Sequence, residues 1–129
     1  MIDVGLTLRN ELAAITGIAN YFTDDRIVNA PTPPSDWRPA DGPLLLILPA
    51  SGTPDYEDVT LSVLVALRTY GLTEIIAETG ARTVFDGLKG HASTALMVGF
   101  PTDLGRMFHD PQVDWRFKAF TYRFLLRNS

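Results

Sequence analysis

Apolar residues recur at helical spacing near the start of the chain. Val4, Leu8, Leu12 and Ile15 stand at i, i+4, i+8 and i+11, one stripe of a helix over residues 3–18. Asp3 suits its N-cap and Gly17 its end, and Arg9, Asn10 and Glu11 fall on the wet side. A short extended piece is expected at Arg26-Ile27-Val28. Residues 29–43 break all periodicity. Pro31, Pro33, Pro34, Pro39 and Pro43 remove backbone donors and fix φ, so the stretch reads as an extended arm or long loop. Trp37 lies inside it and needs somewhere to bury, on its own domain or on a neighbour.

Residues 44–48 are apolar without alternation, as in a strand covered on both faces. Pro49 and the cluster from Ser51 to Asp55 end it. Over residues 59–68 the period changes to two. Val59, Leu61, Val63, Val65 and Leu67 alternate with a half-polar set that includes Leu64 and Ala66. The spacing of Leu72, Ile76, Gly80, Val84 and Leu88 predicts a second helix over 72–88, capped by Thr73. Gly80 on its apolar stripe implies a close approach to the sheet or a break. Residues 96–100 form a further strand, and 101–111 a long connection. In the last strand, 115–126, Trp115 and Phe117 point one way and Phe120, Tyr122, Phe124 and Leu126 the other. A β-bulge near Lys118-Ala119 explains this flip, as does a strand whose ends meet different partners. The expected fold is therefore α+β: a mainly antiparallel sheet with two helices on one face and a proline-rich arm, in one domain over residues 1–129.

Composition narrows the functions. The chain has no cysteine, which excludes disulfides, thiolate metal sites and cysteine nucleophiles and fits a reduced, cytosolic folding compartment. Its net charge of −4 argues against a general nucleic-acid binder. No signal peptide or membrane-spanning run is visible.

No catalytic constellation stands out. Gly87-Leu88-Lys89-Gly90 lacks the Walker spacing and reads as a helix end, and no GxSxG elbow surrounds Ser51. His91 and His109 have no ligand spacing with Asp103 or Asp110, so no metal or cofactor is expected. Asp55, Glu57 and Asp58 form an acidic turn without the alternate ligands of a Ca²⁺ loop. In the last strand, Arg116, Lys118, Arg123 and Arg127 interleave with aromatics. The alternation is read as placing the two sets on opposite faces, which favours a core strand over a base-stacking platform. The reading is a non-enzymatic protein whose arm and two-sided apolar strand leave surface for another copy to cover.

The order of elements resembles the tail terminator, or tail completion, proteins of long-tailed bacteriophages. The resemblance rests on the helix with Leu8-Arg9 and Leu12, the strand start Asp25-Arg26-Ile27-Val28 and the apolar strand at 44–48. It continues through the alternating strand at 59–67 and the helix closing on Phe85-Asp86-Gly87-Leu88, to a last strand carrying Tyr122-Arg123-Phe124. The long 29–43 arm is a departure. The resemblance implies a hexameric ring on the end of the tail tube. Such a ring stops polymerisation and meets the head–tail connector protein, in the virion at the head–tail junction, after assembly in the host cytoplasm. DNA passes through without being specifically held, which suits a net acidic chain.

Two alternatives remain at this point. One is a head-completion or connector protein, and the other a small nucleic-acid-binding module using Arg116, Lys118 and Arg123. Candidate subunit-contact residues are Asp36, Trp37 and Arg38, with Trp37 the anchor unless it belongs to its own core. Candidates for tube, lumen or connector contact are Asp55, Glu57, Asp58, Asp103, Arg106, His109 and Asp110.

Overall fold

The computed structural model describes residues 3–23, 26–48, 51–54, 60–110 and 114–127. In chain order these form α1 (Val4–Ala14), α2 (Thr16–Tyr21), β1 (Ile27–Asn29), β2 (Leu44–Ile47), β3 (Ser51–Pro54), β4 (Thr60–Gly71), α3 (Glu74–Leu88), β5 (Leu96–Pro101), β6 (Arg106–Asp110) and β7 (Trp115–Arg127). A 3-10 turn at Pro39–Asp41 interrupts the arm. The strands make one sheet in the order β1-β2-β4-β7-β5. β3 lies beside β4 next to β2, and β6 beside β7 next to β5. Only the β1–β2 pair is parallel among the described strands, so the sheet is mainly antiparallel, as expected.

The β4–β7 pair is the spine. Its register runs without a break from Thr60 opposite Arg127 to Gly71 opposite Arg116. No bulge therefore interrupts β7 there, and the flip of its aromatics has the other cause considered above. Trp115 and Phe117 join one cluster with Trp37, Leu44, Leu46 and Tyr70. Phe120, Tyr122, Phe124 and Leu126 join the main core under the helices. A strand keeps period two throughout, and its cover changes from one face to the other along its length. The register irregularity of this sheet half lies in β5, between Leu96 and Val98. The same alternation corrects the reading of the cations: Arg116 and Lys118 share the helix-covered side with Phe120, while Arg123 shares the other with Phe117.

β2 behaves as its composition predicts, with all four residues buried. Leu45 and Ile47 belong to the core under the helices, Leu44 and Leu46 to the cluster under the arm. Two further strands escaped the sequence reading. Ser51–Pro54, whose residues suit a turn, pairs with Leu61–Leu64, and Arg106–Asp110, within the expected connection, pairs with the start of β7. Both are edge segments whose few residues carry little periodic signal.

The expected first helix is two. Asp3 caps it as predicted, accepting from Leu6 N at 3.1 Å. The helix stops at Ile15, which is extended at φ −81° and ψ 114°, and Gly17 sits inside α2 rather than ending the element. The bend sets Phe22, just beyond α2, against Gly80 of α3, where a Cβ would stand 2.9 Å from the Phe22 ring and 3.2 Å from Thr69 Cβ. Gly80 is thus the close approach between helix and sheet, not a break. Thr73 caps α3 by accepting from Ile76 N. The buried stripe of α3 is Ala77, Gly80, Ala81, Val84 and Leu88, and Leu72 and Ile75 stand 53% and 77% exposed. Small residues took the inward positions because they let the helix lie close to β4, where buried Thr69 donates to Ala77 O at 2.7 Å.

Candidate assembly face

Even-numbered residues of β4 and odd-numbered residues of β7 point away from the helices. The arm covers one end of this second face. Trp37 is 5% exposed and stands edge-on to Tyr70 and to Trp115, with ring centroids 5.7 Å away in each case. Its Nε1 donates to Gly42 O at 3.1 Å. Gly42 holds φ +124°, open to glycine, and a Cβ there would meet the Arg26 guanidinium. Arg38 N donates to Asp41 Oδ2 at 2.9 Å and its guanidinium to Ser35 O and Trp37 O. The arm is therefore folded on itself and pinned by Trp37 to its own sheet.

The structure thus separates the three arm candidates. Trp37 points into its own chain, where it fills the site left open for it above, whereas Asp36 and Arg38 are exposed.

The other end of the face is bare. Leu64 and Phe100 are 44% and 42% exposed there and Val98 also reaches solvent, while Phe108, 43% exposed, borders the arm-covered end. Register spreads them along the edge of β7: Leu64 and Phe100 flank Arg123 on either side and Val98 lies opposite Leu125, whereas Phe108 lies farther along, opposite Phe117 and stacked on that ring at 5.3 Å. Arginines stand among them. Arg68 lies over the Phe117 ring at 4.9 Å, Arg106 over Phe108 at 5.9 Å, and Arg123 donates to Ser62 Oγ at 2.8 Å. Among the described residues no carboxylate forms an ion pair with any of the three. A groove of about 430 Å³ runs between Arg68, Asp103, Leu104, Arg106 and Phe108.

Asp103 and Arg106, two of the candidate contact residues, thus line one groove, and Asp110 closes β6 beyond them. His109 instead faces the β6–β7 turn, where its Nε2 shares a hydrogen bond of 2.7 Å with Asp114. That hydrogen bond, and then the Arg116 charge, hold the Asp114 carboxyl below its usual range. Asp55, Glu57 and Asp58 lie outside the described residues. Sequence reasoning missed Phe100 and Phe108 as surface residues. In Arg106-Met107-Phe108-His109-Asp110 each alternating set mixes polar and apolar residues, so no period-two signal marked Phe108.

Among the described residues no group of three His, Asp or Glu is placed to hold a metal, and no helix is long and apolar enough to cross a membrane. The arrangement offers a broad apolar, cationic surface suited to another macromolecule.

No family model matches the chain, and no curated protein matches it. A solved structure does. The chain superimposes on one chain of the virion of the native gene transfer agent (GTA) particle, with a TM-score of 0.66. The alignment covers 96% of this chain and 94% of that one at 15% identity, so the two share a fold from end to end.

Proposed function

We propose that this chain is a structural virion protein, and within that class a tail terminator. In this reading residues 1–129 act as one unit that assembles into a ring, hexameric by the family resemblance. The ring caps the tail tube, stops its polymerisation and presents a new surface to the head–tail connector protein. Its place is the head–tail junction of the virion, after assembly in the host cytoplasm.

The end-to-end likeness to a chain of the GTA virion supports the virion class. The finer role rests on the element order and on a sheet face left apolar over one end. The chain's work is then assembly, with no catalytic step. A net charge of −4 suits a conduit through which DNA passes without adhering.

The test is a tube assembly reaction. Tail-tube protein from the same genome, mixed with this chain, is expected to give short tubes closed at one end by an annulus in electron micrographs. Capture by the portal or connector protein with no effect on tube length would instead make the chain a head-completion protein. A chain that neither limits tube growth nor binds either partner rejects the reading.

A further inference from the structure

The large apolar side chains exposed on the described surface fall into few places. Leu64, Val98, Phe100 and Phe108 share the bare sheet face, with Leu104 at its groove. Leu72 and Ile75 share the N-terminal corner of α3, on the helix-covered side. Leu6 on α1 stands apart.

The two patches also differ in unmatched charge. The sheet face holds Arg68, Arg106 and Arg123 without ion-pair partners among the described residues, while Asp103 and Asp110 lie at its rim. At the α3 corner, Glu78 is matched by Lys118 at 2.7 Å and by Arg82 at 3.8 Å. Glu74, between Leu72 and Ile75, has no cation partner among the described residues.

We infer that the bare sheet face of one copy seats the α3 corner of a second copy, with Ile75 and Leu72 against Leu104 and Phe108, which line one groove with Arg106, and Glu74 toward Arg106. Apolar surface is then buried on both sides, and an unpaired carboxylate meets an unpaired cation. The two patches lie on opposite sides of the sheet, so the contact is head-to-tail. Repetition of such a contact closes a ring or grows a filament, whereas a patch meeting itself would stop at a dimer. The inference rests on the reading of this chain as a ring subunit and names the surfaces that join neighbours.

Charge reversal tests it, because Arg106 is exposed and Glu74 lies on an exposed first turn, so both variants fold. The readout is sedimentation and electron microscopy of the purified chain over a range of concentration. Arg106→Glu alone and Glu74→Arg alone are each expected to raise the concentration needed for assembly at least tenfold. An equimolar mixture of the two variants is expected to restore assembly, because each joint then pairs a carboxylate with a cation. Annuli that form from both single variants as from the parent overturn these surfaces and leave the ring reading standing. A parent chain that stays monomeric at every concentration overturns the pairing, and the tube-capping assay then judges the ring reading by itself. Salt-sensitive binding of double-stranded DNA that Arg106→Glu abolishes would give the face to nucleic acid and overturn the inference as well.

Discussion

Trp37 meets Tyr70 edge to face, with ring centroids 5.7 Å apart and planes at 72°. The contact joins a proline-rich arm to the end of the long β4–β7 strand pair, at the place where β4 turns toward α3. Tyr70 in turn faces Trp115 at 6.0 Å and Phe117 at 4.9 Å, so one residue of the arm completes a four-ring cluster.

Removing that ring leaves a cavity under the arm. Trp37→Ala is expected to cost about 3 kcal/mol, the low end for a large buried aromatic. Thermal unfolding followed by circular dichroism should show a midpoint lower by roughly 10 °C. An unchanged midpoint would mean that the arm does not dock through Trp37. Asp36→Ala, at an exposed neighbour, should leave the midpoint within about 2 °C.

Gly80 reports on the helix–sheet distance. Gly80→Val adds atoms where a Cβ already stands 2.9 Å from Phe22 and 3.2 Å from Thr69. The gain in helix propensity is under ~1 kcal/mol and overpacking costs about 1–3 kcal/mol, so the variant should be net less stable. Denaturant titration checks the sign.

Thr69 is the buried polar residue beneath α3, and its hydroxyl donates to Ala77 O at 2.7 Å. Thr69→Val keeps the shape and removes the donor. The expected loss is about 1 kcal/mol, the usual net worth of such a bond. A variant equal to the parent in denaturant titration would show that the hydroxyl contributes nothing.

The contact between His109 and Asp114 predicts a pH effect in the acid range. The Asp114 carboxyl titrates below its ordinary value of 3.8, held down by the hydrogen bond with His109 and then by Arg116. A folded-state value lower than the unfolded one stabilises the protein above the unfolded value, and that contribution fades as pH falls through the folded one. Carboxyl carbon NMR should therefore show Asp114 titrating below pH 3.8. In Asp114→Asn the rise in stability with pH across that window should shrink. A carboxyl that titrates at or above 3.8 would contradict its contacts with His109 and Arg116.

Much of the architecture was legible as pattern. Period two along residues 59–68 and unbroken apolarity at 44–48 are local consequences of how many faces a strand must cover, so the chain alone states them. Caps at Asp3 and Thr73 are likewise local, since a side-chain oxygen need only reach a backbone donor three residues on. The bend at Ile15, the Ala77–Ala81 stripe of α3 and the edge strands β3 and β6 were not legible. Each depends on what lies opposite.

The candidate site divides in the same way. Charge, the absence of cysteine and the lack of a recognisable catalytic motif come from residue identity, so the expectation of an assembling protein could be formed from the sequence by itself. It also named Trp37 and Arg106 as candidates but not which way either one faces. Tertiary structure turned Trp37 inward against Tyr70 and left Arg106 beside exposed Phe108, because burial is a property of the whole surface and not of a residue's neighbours in the chain.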